Sequence, residues 1–341
     1  MLALAYLGRR LWALLGEARR GAACCQTVAV AAIDGGRPAG RRTIVQGLSG
    51  PVEGRLLAIG GRLLAVIASA QGVWVSQSGA GGRFGPARLL SDPTDEIDAI
   101  AAATTAVQAG AVAWTQQPSF YAPGPATVWL ARGGARRPPR RPRRPILSLA
   151  AGEQLDELAL TGRGRGLTAA WVQSWFGSSG TFHSAVYAAD LEGRVRPRLL
   201  SAPGEQAAGV ALASAPGGAE VVAFQSCAES GACSAEAALR PAHGAFGPAR
   251  VLGAAAAGQF PAVAESDSGR ALVAFVGAGG EILAAAPRAG ARRLGAPRVL
   301  SRGDSGADLV VGFSGRQGLV AWTQGAARER LAVARLTLAG G

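Results

Sequence analysis

Short apolar runs recur along the chain, each closed by a glycine-rich or polar turn, and two of them recur as recognisable phrases. FGPARLLSD at 84–92 returns as FGPARVLG at 246–253 and as GAPRVLS at 295–301. A second phrase, two apolar residues followed by Ala and an aromatic, occurs as AVAWTQ (111–116), TAAWVQ (168–173), VVAFQ (221–225), LVAFV (272–276) and LVAWTQ (319–324). Its aromatic residues Trp114, Trp171, Phe224, Phe275 and Trp322 lie 57, 53, 51 and 47 residues apart. Weaker copies at GRRLWALLGE (8–17) and GRLLAVIAS (61–69) put Leu14 and Ile67 in the aromatic slot, giving seven units. A fixed period of this length points to a repeat architecture.

Within each unit four strand-like segments follow one another, split by turn residues. In the second unit they read RLLAIG, LLAVIAS, VWVSQS and PARLLS. Four strands every 47 to 57 residues predict an all-β, seven-bladed β-propeller of four-stranded antiparallel blades, because one such sheet cannot bury both faces alone. The expected blades are 1–48, 49–92, 93–151, 152–203, 204–252, 253–303 and 304–341, in a single domain whose last blade has three strands. The Pro-x-Arg-Leu segment is expected outermost, where proline removes no ladder hydrogen bond and arginine faces water. The Ala before each aromatic is expected to let neighbouring sheets approach. Met1 already enters the first inner strand, LALAYLG, so an upstream strand and a signal peptide missing from this chain are expected.

The repeats resemble the broad β-propeller class that includes sialidase-like and WD-repeat proteins. Within ESDSGRALVAF (265–275), Asp267 and Gly269 match the sialidase Asp-box, whereas Glu265, Ala271 and Leu272 depart from it. That box is structural in sialidases, so the resemblance implies a fold and no catalytic residue.

Composition narrows the class further. The 341 residues are 49% hydrophobic, yet arginines interrupt every apolar run before it reaches membrane-spanning length. No Lys and no Asn occur, so all 35 basic side chains are Arg against 22 acids. Cys24–Cys25 and Cys227/Cys233 fall in the loops between second and third strands of units one and five. A local disulfide Cys227–Cys233 is expected, with free thiols as the alternative, and would favour export to the cell envelope or exterior. The two histidines, His183 and His243, belong to different units and lack a nucleophile context, which argues against a zinc site or a Ser-His-Asp device. No cofactor is expected.

The run RRPPRRPRRP (136–145) carries six arginines. It reads as a solvated, proline-stiffened loop, with a polyanion-binding arm as the alternative; the absence of interleaved aromatics argues against nucleic acid. SRGDS (301–305) reads as a chance tripeptide and GRGRG (162–166) as a hairpin turn. Propeller phase puts the loops joining blades on one face with the loops joining second and third strands. Eleven of the 22 acids fall in those joining segments, among them Asp95, Glu96, Asp98, Asp156 and Glu157. The two longest loops of that face, PSFYAPGP (118–125) and SWFGSSGTFH (174–183), carry Phe120, Tyr121, Trp175, Phe176 and His183. Aromatics beside carboxylates predict a binding patch for a glycan or protein partner on a monomeric, non-catalytic protein. The alternative is a sialidase-like or lyase-like carbohydrate-active enzyme using the same carboxylates.

Overall fold

The computed structural model describes residues 2–17, 26–35, 37–79, 81–93, 96–117, 124–164, 166–287, 293–302, 305–324 and 330–337. Among them every regular element is a strand. Asp95, Phe120, Tyr121, Cys24, Cys25 and Asp304 lie outside the described residues. The chain divides into two compact units, Met1–Leu158 and Ala159–Gly341.

The first unit holds three antiparallel four-stranded sheets in chain order. They are β1 (Ala3–Leu7), β2 (Arg10–Glu17), β3 (Gln26–Asp34) and β4 (Arg37–Leu48); β5 (Glu53–Ile59), β6 (Arg62–Ser69), β7 (Gly72–Gln77) and β8 (Arg88–Leu89); and β9 (Glu96–Thr104), β10 (Ala109–Gln117), β11 (Thr127–Gly134) and β12 (Leu147–Ser148). The second unit begins within β13 (Glu153–Arg163), which is followed by β14 (Gly166–Phe176), β15 (Phe182–Asp190) and β16 (Arg198–Leu199). Next come β17 (Gln206–Ser214), β18 (Glu220–Cys227), β19 (Cys233–Arg240) and β20 (Arg250–Ala255), then β21 (Ala262–Glu265), β22 (Ala271–Val276), β23 (Ile282–Ala285) and β24 (Arg298–Ser301). A three-stranded sheet, β25 (Ser305–Ser314), β26 (Gln317–Gln324) and β27 (Arg330–Thr337), ends the described chain.

The expected break between blades four and five is not a break between sheets. The short outer strand β16 covers only Tyr187 and Ala188 of β15, which leaves the edge of β15 open at Ser184. Gln206 of β17 takes that edge in a parallel bridge, so β13 to β20 form one eight-stranded sheet. An open strand edge carries polar groups that seek a partner, and here the next strand supplies it.

The repeated phrases find their physical reason in this packing. The aromatic of each second strand is core: Trp114, Phe224 and Phe275 are fully buried, and Trp171 and Trp322 nearly so. Trp114 stacks on Trp129 of β11 at 6.3 Å and donates its indole N–H to Gln116 Oε1, two residues on. Gln225, immediately after Phe224, donates to the carbonyls of Ala256 and Gln259 and so fastens the segment that follows β20. Pro-x-Arg opens the outermost strands β8 and β20 and Pro-Arg opens β16 and β24, with these arginines in water. The Asp-box-like turn after Glu265 is a tight hairpin in which Ser266 Oγ accepts from the Arg270 N–H. Gly269 there has φ +77°, a backbone conformation that favours glycine.

Candidate functional site

In the first unit a bulge sets one carboxylate apart. The β9–β10 register shifts between Trp114 and Gln116, leaving residues 98–99 of β9 opposite Thr115. The Ala99 N–H donates to Thr115 Oγ1 at 2.9 Å, which holds the bulge. Bulges re-aim side chains, and this one turns Asp98 into a cleft of about 320 Å3 lined by Pro51, Glu53, Ser69, Ala70, Glu96 and Asp98. Asp98 is exposed as a residue, but partial desolvation of its carboxyl pushes it up to about 6; a hydrogen bond with Gln117 opposes the shift, and the charges of Glu96 and Asp156 add to it. The charges of Glu96 and Asp156 thus both act on the Asp98 carboxyl. Asp156 is exposed and Glu157 half-buried.

In the second unit the hairpin β14–β15 runs outward to an aromatic tip. Trp175 pairs with His183 and Phe176 with Phe182, directly across the two strands. The Trp175 and His183 rings stack at 5.6 Å and 24°, and the Phe176 and Phe182 rings meet edge to face at the same centroid distance. A tight turn closes the tip, with the Gly177 N–H donating to the Thr181 carbonyl and Gly180 at φ +77°. A Cβ on Gly177 would stand 2.9 Å from His183 Nε2, so the glycine admits the imidazole. Phe176 is 70% exposed and Phe182 41%, unlike the core aromatics of the same sheet.

Beside this tip lies a carboxylate pair that sequence reasoning missed in part. Glu205 falls in a segment joining two repeats, whereas Glu236 lies inside β19 at a position that carries no signal in the sequence. The Ser184–Gln206 bridge sets Glu205 next to the hairpin, where Ser226 Oγ donates to it in a very short contact. Glu236, 5% exposed, bonds Ser234 and Glu205; burial first and then Glu205 push its carboxyl up. The disulfide Cys227–Cys233 closes the β18–β19 hairpin one residue pair beyond Ser226–Ser234.

A third charged cluster occupies the opposite strand ends of the second unit. Arg240, 7% exposed, donates from Nη1 and Nη2 to the two Asp190 oxygens at 2.6 and 2.7 Å, and from Nη1 to Glu220 Oε2 at 2.9 Å. Its Nε donates to the Gly244 carbonyl. The bidentate bond from Arg240 holds the Asp190 carboxyl below its ordinary range, whereas burial raises that of the fully buried Glu220. Burial also pushes Glu265 up to about 8, against a bond from the Ala215 backbone and with added repulsion from Glu220. Arg163 joins through the Ala242 carbonyl at 2.6 Å. With Nε, Nη1 and Nη2 of Arg240 all donating to protein oxygens, this cluster ties strands together. Fifty residues separate Asp190 from Arg240, and no local sequence signal connects them.

No family model matches the chain, and no curated protein matches it in sequence. Solved structures match it by shape. The polysaccharide lyase Uly1 superposes with a TM-score of 0.61 over 98% of this chain and 88% of that one, at 7% identity. A protein of unknown function from Dyadobacter fermentans DSM 18053 gives a TM-score of 0.51 over 83% and 93% of the two chains, at 11% identity. The Hadza microbial sialidase Hz136 gives 0.46 over 91% and 73%, at 12% identity. What this chain shares with the first two is the fold, of propeller type.

Proposed function

We propose that the protein is a carbohydrate-directed β-propeller whose glycan platform is the aromatic tip of β14–β15. The observation that carries this reading is the exposed ring set Phe176, Phe182 and stacked Trp175–His183, next to a carboxylate pair fixed by two serines. Flat aromatic faces take the C–H surfaces of sugar rings, and fixed carboxylates take their hydroxyls. A carbohydrate role is preferred to protein scaffolding because a polysaccharide lyase stands among the structures of the same fold. We read the chain as seven blades in a closed ring, the last blade three-stranded, and the disulfide as a mark of an exported, monomeric protein. Phe120, Tyr121 and Asp95 belong to the same reading.

The Asp98 cleft supplies a place for chemistry. A carboxylic acid that ionises near 6 beside Glu53 and Glu96 can donate a proton to a leaving oxygen while a neighbour stays charged. The test is a panel of neutral and acidic polysaccharides read both for binding and for released ends. Binding lost in Trp175→Ala/Phe176→Ala supports the platform. Turnover that falls as pH rises through about 6 and vanishes in Asp98→Asn makes the protein an enzyme. Binding with no turnover leaves a lectin-like role, and no binding by any glycan overturns the proposal.

A further inference from the structure

The arginines of the arginine-proline run are exposed, as expected of a solvated loop, but the run is anchored to a sheet. Gln77 Nε2 donates to the carbonyls of Gly134 and Ala135, pinning the start of the run to β7. Gly134 and Arg137 exchange backbone hydrogen bonds at 2.7 and 3.2 Å, and a Cβ on Gly133 would lie 2.4 Å from Pro139 N, so the chain doubles back tightly. Arg141 then pairs with Asp92 at 2.9 Å. Held in this way, the run closes one wall of a cleft of about 540 Å3 in the first unit.

Five arginines line that cleft, and no carboxylate does. Arg136 comes from the run, Arg42 from β4, Arg62 from the start of β6, Arg83 from the β7–β8 loop and Arg88 from β8. Among the described residues none of the five is in an ion pair. The groove itself is a product of the repeat: the second copy of the FGPAR phrase borders a similar groove of about 600 Å3 in the second unit. That groove has only Arg250 and Arg293, so the other arginines of the first are not explained by architecture.

We propose that this cleft is a binding site for an anionic polysaccharide, with guanidinium groups of Arg42, Arg62, Arg83, Arg88 and Arg136 holding its sulfate or carboxylate oxygens. Guanidinium forks match planar and tetrahedral oxyanions in two-point contacts. The cleft's aromatic residue, Phe84, is 3% exposed and offers no face for a base, which separates this site from a single-strand nucleic-acid groove. The site does not depend on the aromatic tip or on Asp98.

Affinity for dextran sulfate, polygalacturonate, neutral dextran, duplex DNA and single-stranded DNA is measured across a salt series. The full-length protein is compared with Arg62→Gln/Arg83→Gln/Arg136→Gln and with a charge-matched control, Arg194→Gln/Arg196→Gln/Arg198→Gln, on exposed positions of the second unit. The expected result is binding of one or both acidic polysaccharides, weakened about tenfold or more in the cleft variant alone. The slope of log K against log salt should fall by about two to three, one per lost contact. The better of the two acidic polymers identifies the oxyanion. Equal losses in the two triple variants would reduce the effect to net charge and overturn the site. So would DNA binding as tightly as the polysaccharides with the same dependence on the cleft. If the triple variant melts early, Arg83→Gln alone, in an exposed loop, must still weaken binding about threefold or the proposal fails.

Discussion

Glu265 and Arg240 show what single residues contribute to this fold. Glu265 ionises at about 8 in the native protein, well above its ordinary 4.5, so the native state holds a proton that the unfolded chain has released. Its effect on stability is therefore favourable below about 4.5 and is lost as pH rises toward 8. Glu265→Gln should flatten that decline and raise stability at pH 9 by on the order of 2 kcal/mol. Denaturant melts at pH 5 and pH 9 measure it; an equal slope in both proteins would contradict it. Removing Arg240 has the opposite sign. Arg240→Ala removes the hydrogen-bonded cation from the fully buried Glu220 and leaves only the more distant Arg163 near the two carboxylates, so a loss of about 3 kcal/mol is expected in the same melts. A loss below about 1 kcal/mol would mean that the cluster does not hold the strand ends.

The proposed sites lie on hairpins and the loops between strands, and their legibility in sequence differs. Strand order was readable because one phrase falls in one phase of every sheet: a buried aromatic two residues before a glutamine in β10 and β14 needs the same neighbours each time. The aromatic tip was also readable, since SWFGSSGTFH outruns its sheet and carries more rings than a turn needs. Glu236 was not, because in CSAEAALR it occupies an ordinary alternating strand position; its partner Glu205 reaches it only through the bridge between consecutive sheets. The arginine cleft was hidden for a similar reason. The eye goes to the six-arginine run, whereas four of the five cleft arginines are scattered over 42–88 and are gathered by the groove. At the β18–β19 hairpin, Cys227→Ser/Cys233→Ser should cost about 2 kcal/mol, modest because the closed loop is short. Thiol titration of the unreduced, denatured wild type must then find neither of these two cysteines free; finding both free would remove the argument for export.

Across the whole molecule, closure of the proposed ring has a thermodynamic consequence. A ring of sheets in which each packs only on its neighbours unfolds cooperatively when no end is left open. Trp114→Ala in the first unit and Phe224→Ala in the second, each deleting a fully buried ring at about 3–5 kcal/mol, should lower one shared transition seen by both tryptophan fluorescence and circular dichroism. Two transitions, each moved by one substitution, would describe two independently folding units.

The central claim is that the rings at the end of β14–β15 are where sugar meets protein. Calorimetric titration of the tightest-binding oligosaccharide into wild type and into Phe176→Ala addresses it without reference to any reaction. Phe176 stands 70% exposed and contributes little to folding, so an affinity loss of about tenfold at unchanged melting temperature is the predicted result. Unchanged affinity would place the glycan elsewhere and contradict the account.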